Sequence, residues 1–225
     1  MSVSVTETDN VFIFVPNLIG YARVVLNLLA LFLMPLCHCW AAWLYIIAGL
    51  LDAFDGHAAR LFNQSTKYGA MLDMLTDRCG TMALLMTLCS FYPRCTFLFQ
   101  LSAIIDISCH WIHLHTATML GKTSHKNVDR KENALLHFYY TNRQFLFFMC
   151  AGNELFYAFL YLLNFTYGPT FLGMSLLKLA VILLFPVAVL KSVFALMQGF
   201  GAWKDLGVVD MKEREAAKAN LAKKD

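Results

Sequence analysis

The sequence predicts an all-α integral membrane protein with six transmembrane helices. Composition gives the first reason: 59% of the 225 residues are hydrophobic, 19 of them Phe, and only 15% are charged. Mean hydropathy is +0.56. The second reason is arrangement. The apolar residues gather into six runs, each long enough to cross a hydrocarbon core of roughly 30 Å. A water-soluble domain has no use for so much apolar surface.

The first run, 13–36, is its own anchor, because the first ten residues hold Glu7 and Asp9 and lack the basic segment of a cleavable signal. The second and third, 40–62 and 68–91, are interrupted by their own aspartates, so hydropathy alone undercounts them. The fourth, 96–119, carries His110 and His113. The fifth, 145–165, carries Asn153 and Glu154, and the sixth, 174–200, carries Lys191. Three segments follow: an N-terminal tail at 1–10, a membrane domain at 11–202, and a charged C-terminal tail at 203–225 that reads as a solvated helix on the membrane surface.

Lys and Arg in the connections orient the chain. One side holds Lys67, then Lys122, Lys126, Arg130 and Lys131, then Lys204, Lys212, Arg214, Lys218, Lys223 and Lys224. The other side offers little besides Arg94. The basic side is expected to face the cytosol, with both termini. Seven cysteines, mostly within the spans, suggest free buried thiols, and Cys37-His38-Cys39 is not a zinc motif. His110 and His113 share a helical face, but no third ligand of suitable spacing accompanies them. Hydrogen bonding within the protein or to a substrate suits them better than a metal.

Asp52, Asp55, Asp73 and Asp77 carry the chemistry. They belong to one pattern, D-x2-D-G-x2-A-R-x8-G-x3-D-x3-D, which also fixes Gly56, Ala59, Arg60 and Gly69. Carboxylates inside apolar spans are too costly to serve packing alone. Asp52 and Asp55 are three apart and Asp73 and Asp77 four apart, so each pair shares a helical face. Two neighbouring helices then aim four carboxylates at one point, where they repel or take up protons unless neutralised. A pair of divalent cations resolves this, and oxygen-only ligation suits Mg²⁺ or Mn²⁺.

The pattern resembles the signature of the CDP-alcohol phosphatidyltransferase family at every fixed position. Further blocks, PNLIGYARVVL from Pro16, HWIHLH from His110 and CAGNELFY from Cys150, resemble animal members that use inositol. The resemblance implies that family's fold and a transfer of phosphatidyl from CDP-diacylglycerol to myo-inositol with release of CMP. It implies Asp52, Asp55, Asp73 and Asp77 as metal ligands, Asp77 also as general base, and Gly56, Arg60 and Thr66 as contacts of the CDP-lipid. It further implies a homodimer in the endoplasmic reticulum membrane with the site facing the cytosol. No nucleic-acid partner is expected. Family members differ in acceptor, so glycerol 3-phosphate and serine stay open as alternatives. A divalent-cation transporter could also use an acidic cluster, although transport does not call for Gly56, Ala59 and Arg60.

Depth gives an argument of its own. At 1.5 Å per residue, the four aspartates lie about 8–15 Å below the cytosolic helix ends. Arg23, His110, His113, Asn153, Glu154 and Lys191 come out at about 9–15 Å. Every helix then contributes a polar group to one layer, read as a wet cavity closed beneath by Leu, Phe and Met. Asn153, Glu154 and His113 are the candidates for an inositol pocket, although Asn153 and Glu154 suit contact between helices equally well.

Overall fold

A computed structural model describes residues 10–120, 134–171 and 173–221. The basic connection holding Lys122, Lys126, Arg130 and Lys131 lies outside the described residues, as do residues 1–9, Lys223 and Lys224. Six helices of 19 residues or more form the bundle: α1 (Val15–Leu33), α2 (His38–Leu61), α3 (Lys67–Phe91), α4 (Thr96–Met119), α6 (Arg143–Leu163) and α7 (Leu176–Leu221). The short α5 (Ala134–Thr141) precedes α6, and a two-residue hairpin, Thr170–Phe171 with Met174–Ser175, joins α6 to α7.

Local chemistry sets where these helices begin. The Asn10 side chain accepts from the amide of Phe12 to start a 3-10 turn, Val11–Ile13, and Pro16 then occupies the first turn of α1, where a missing N–H costs nothing. The Thr66 hydroxyl caps α3 by accepting from the amide of Gly69 at 3.0 Å. The Asn142 side chain caps α6 through the amide of Phe145 at 3.1 Å. Between α2 and α3 the chain turns at Asn63, whose φ of 54° is tolerable for an Asn.

Five of the six long helices are apolar enough to cross a membrane; α3 is not among them. Lys67, Asp73, Asp77 and Arg78 all lie on α3, so a helix of 25 residues reads as too polar on composition alone. The last helix runs past the expected end at 200 without a break at 202, reaching Leu221 over 46 residues. Residues 210–221 are rich in Ala, Lys and Glu, which carry strong helix propensity, so the charged tail prolongs the last helix.

The packing puts α3 at the centre, against α1, α4 and α6, while α7 closes the bundle on α4 and α6. Along α1, residues at spacings of three and four face α3. Asn17 approaches Gly69, Gly20 approaches Leu72, and Asn27 approaches Gly80. A Cβ on Gly69 would stand 2.7 Å from Asn17 Oδ1, so the fixed glycine of the motif is required by the closeness of these helices. The main apolar cluster, with Met34, Leu84, Leu85, Leu88, Phe99, Phe156 and Tyr161, lies at the far ends of these helices from the motif. Tyr161 donates to the carbonyl of Met34 at 2.9 Å and ties α6 to the end of α1. Trp40, Trp43, Leu50 and Phe54 stay exposed along α2, as expected of a surface that meets lipid tails.

Another close helix contact is α4 with α7, where a Cβ on Gly199 would meet Sγ of Cys109 at 2.8 Å and its Cα at 3.2 Å. Gly199→Ala should therefore lower thermal stability in detergent by about 1–3 kcal/mol. Gly201→Ala is the control: nothing lies within 4 Å of its Cβ position. Ala there should be neutral or stabilising by up to about 1 kcal/mol. Equal effects of the two substitutions on the melting temperature would refute the close contact.

Candidate functional site

The four motif carboxylates converge as the spacing requires, and a fifth group stands among them. Asp52 and Asp55 come from α2, and Asp73 and Asp77 from α3. Arg23 of α1 reaches all four. Its Nη1 lies 2.6 Å from Asp55 Oδ2 and 2.8 Å from Asp73 Oδ1. Its Nη2 lies 2.6 Å from Asp52 Oδ1 and 2.5 Å from Asp77 Oδ1. The Arg23 side chain is 2% exposed, Asp55 is nearly buried, and Asp52 and Asp73 stand at the open side, each more than 40% exposed.

This donor set fits a divalent cation. Asp52, Asp55 and Asp73 each offer an oxygen, and those oxygens all lie within 4.8 Å of one another. Hard cations such as Mg²⁺ take oxygen ligands of this kind. Arg23 offsets one of the four carboxylate charges, and Arg78, which also reaches Asp77, is shared with Asp106, so negative charge stays in excess, a state that an apolar bundle opposes. Asp77 is not part of that three-oxygen group and joins the cluster through Arg23.

Of the residues expected to hold the CDP-lipid, Gly56 directly follows Asp55, Arg60 lies further along α2, and Thr66 precedes the first turn of α3. Arg60 is exposed, and its Nη1 lies 3.6 Å from where a Cβ of Gly56 would be, so the guanidinium lies over the bare backbone of that turn. Any side chain at Gly56 would narrow this approach. Thr66 stands at the start of α3, where its hydroxyl is already engaged as the cap. Gln64 Oε1 accepts from the amide of Val15 at 3.0 Å, fixing the α2–α3 turn against the start of α1.

A second polar group lies next to Asp77. Glu154 of α6 accepts from Tyr45 of α2 at 2.7 Å and from Thr81 of α3 at 2.6 Å. The same hydroxyl lies 3.0 Å from the carbonyl of Asp77, the alternative acceptor for its single hydrogen. Glu154 thus joins three helices one turn beyond the aspartates. Asn153 and His113, the other candidates for an inositol pocket, are half-buried on α6 and α4. Buried Lys191 of α7 sits 5.9 Å from the centre of the Tyr139 ring, a cation–π pairing.

Sequence reasoning passed over Arg78 and Asp106. Nη1 of Arg78 lies 2.6 Å from Asp106 Oδ1 on α4, and its Nη2 is 3.4 Å from Asp77 Oδ2. Asp106 also accepts at its backbone carbonyl from His110 Nδ1 at 2.7 Å, in the tautomer that protonates that nitrogen. The signal was available: Asp106 is an ionisable residue in the middle of an apolar helix, which calls for a partner. So was the position of Arg78 directly after Asp77.

The CDP-alcohol phosphatidyltransferase family model matches residues 13–127, which contain the whole motif. A Drosophila melanogaster protein named CDP-diacylglycerol--inositol 3-phosphatidyltransferase is 53% identical over 213 residues, covering 95% of this chain and 93% of the relative. The Mus musculus protein of the same name is 49% identical over 210 residues, 93% of this chain and 99% of the relative. The Homo sapiens one is 47% identical with the same coverage. No solved structure matches the chain.

The Arg78–Asp106 pair joins α3 to α4, and each side chain is less than a fifth exposed. Breaking such a pair from one side strands a buried charge, at about 3–5 kcal/mol. Asp106→Ala should therefore lower the melting temperature in detergent sharply. The double variant Arg78→Met with Asp106→Leu, which removes both charges, should be more stable than Asp106→Ala alone. A double variant at least as unstable as the sum of the single ones would show that the two side chains are not coupled.

Proposed function

This chain belongs to the CDP-alcohol phosphatidyltransferase family, and we propose from that premise that it makes phosphatidylinositol. It transfers the phosphatidyl group of CDP-diacylglycerol to a hydroxyl of myo-inositol and releases CMP. The convergence of Asp52, Asp55, Asp73 and Asp77 on one point carries the reading. The acceptor rests on the name shared by the relatives above.

Asp52, Asp55, Asp73 and Asp77 would hold Mg²⁺ or Mn²⁺, which supplies positive charge to the diphosphate and to CMP as a leaving group. The protein's own groups do the rest. Arg60 pairs with a diphosphate oxygen through its planar fork of donors, Gly56 lets the nucleotide lie against the α2 backbone, and Thr66 bounds the nucleotide end. Asp77 accepts the proton of the attacking hydroxyl. A bond forms between that oxygen and the lipid-linked phosphorus as the bond from phosphorus to the CMP oxygen breaks. No covalent lipid–enzyme intermediate is required. Glu154, with Asn153 and His113, orients the ring hydroxyls of inositol.

In this reading α3 crosses the bilayer as the sixth span, since it packs among α1, α4 and α6 and carries half of the aspartates. The basic connections face the cytosol, which puts the aspartate end there too. The membrane is that of the endoplasmic reticulum, and the protein works as a homodimer.

Protein purified in detergent should release CMP from CDP-diacylglycerol only when myo-inositol is added. The rate should vanish in excess chelator and return with Mg²⁺ or Mn²⁺. Equal CMP release with glycerol 3-phosphate or serine would overturn the acceptor, and full turnover in chelator would overturn the role of the aspartates.

A second test divides the labour within the site. Asp77→Asn should lower kcat by at least about 10²-fold while CDP-diacylglycerol still binds. Glu154→Gln should instead raise the KM for inositol and leave that for CDP-diacylglycerol nearly unchanged. Loss of lipid binding in Asp77→Asn would make that residue chiefly a ligand. An unchanged inositol KM in a well-folded Glu154→Gln would leave Glu154 as a strut between helices.

A further inference from the structure

Arg23 is the one cation that touches all four motif carboxylates among the described residues, and its placement is built in rather than incidental. It stands in the row of α1 residues that face α3, between Gly20 and Asn27, which approach Leu72 and Gly80. That row fixes the height of residue 23 against Asp73 and Asp77. The side chain is 2% exposed, so the guanidinium has no route to water. Each terminal nitrogen serves two carboxylates, one from α2 and one from α3, at 2.5 to 2.8 Å. Nε is buried without a partner, so the whole hydrogen-bonding capacity in use is directed at the aspartates.

Electrostatics gives this placement a purpose. Without a cation, four carboxylates brought together from α2 and α3 on either side of α1 would repel, loosen both helices from α1, or take up protons. A guanidinium stays charged under all ordinary conditions, and its planar fork can meet several carboxylates at once, which a lysine ammonium matches poorly. It engages one oxygen of each aspartate: Asp52 Oδ1, Asp55 Oδ2, Asp73 Oδ1 and Asp77 Oδ1. A carboxylate has two oxygens and about four lone-pair sites, so this pairing leaves each aspartate capacity to ligate a metal.

We propose that Arg23 is a resident counter-cation, a positioning residue that keeps the four carboxylates convergent when no divalent cation is bound. The site is then preformed for its metal, and the helices α1, α2 and α3 do not depend on that metal to stay together. The inference rests on the reading of the aspartates as cation ligands for the metal half of its test only.

The measurement is thermal unfolding of purified protein in detergent, in Mg²⁺ and in excess chelator. Wild type should lose only a few degrees on chelation. Arg23→Met should lose about 10 °C more than wild type in chelator and recover most of that in Mg²⁺. Arg23→Lys, which keeps the charge but not the fork, should fall between them. The double variant Arg23→Met with Asp55→Asn has the same net charge at the cluster as wild type, and in chelator it should be more stable than Arg23→Met.

Where Mg²⁺ does stabilise the protein, equal sensitivity to chelator in wild type and Arg23→Met would overturn the proposal. So would a double variant no more stable than Arg23→Met, since Arg23 would then act by packing alone. If Arg23→Met is not recovered from membranes, recovery of the double variant supports the proposal and its failure overturns it. Absence of any Mg²⁺ effect in every variant would sink the metal reading of the aspartates, while the comparison in chelator would still decide the role of Arg23.

Discussion

Confining negative charge in an apolar bundle is the constraint from which the rest of this structure follows. Four carboxylates within reach of a single guanidinium are a poor way to stabilise a membrane protein, because desolvation of the charges competes with their attraction to Arg23. The arrangement survives because several helices are committed to it. Gly20, Gly69 and Gly80 let α1 lie close against α3, and that closeness brings the Arg23 guanidinium level with Asp73 and Asp77. The extensive packing of α1 on α2 brings in Asp52 and Asp55. A larger residue at Gly69 would meet Asn17 at once and push the helices, and with them the charges, apart.

The same constraint explains why α3 occupies the centre. A helix carrying Asp73, Asp77 and Arg78 is too polar to face lipid on every side, and it finds partners on three neighbours. Arg23 of α1 meets its aspartates, Asp106 of α4 meets Arg78, and Glu154 of α6 meets Thr81. Apolar burial then closes the far end, where Leu84, Leu85 and Leu88 of the same helix meet Phe99, Phe156 and Tyr161. One helix thus divides along its length into a polar half that forms the site and an apolar half that holds the bundle together.

Much of this was legible in the sequence, and the limits were physical. Residue spacing is a local property, so the sharing of a face by Asp52 with Asp55 and by Asp73 with Asp77 could be read directly. Long apolar runs placed six helices, of which five are apolar enough to cross a membrane and α3 is not. Depth arithmetic put Arg23 and Glu154 in the right layer. It could not say that Arg23 would meet the aspartates while Glu154 would meet Tyr45 and Thr81, because depth along a helix carries no information about rotation around it. Arg78 and Asp106 each carried a signal as ionisable residues within long helices, but which partner each meets depends on that same rotation. The end of α7 was missed because a change from apolar to charged residues marks the membrane boundary, not the end of helical hydrogen bonding.

For Thr66 and Glu154, a role in the fold does not exclude the role in the site proposed for them. The Thr66 hydroxyl, as the cap of α3, accepts one hydrogen bond from Gly69, yet it still has its own hydrogen to donate. Glu154 accepts one hydrogen bond at each oxygen, from Tyr45 and from Thr81, and a carboxylate has about four lone-pair sites. Two remain for donors such as ring hydroxyls. A side chain already held by two helices loses little further freedom when it meets a substrate, so the bonds that make Glu154 a strut also make it a rigid acceptor. Thr81 links that position to the turn of Asp77, because its one hydroxyl hydrogen has both the Glu154 carboxylate and the carbonyl of Asp77 within reach.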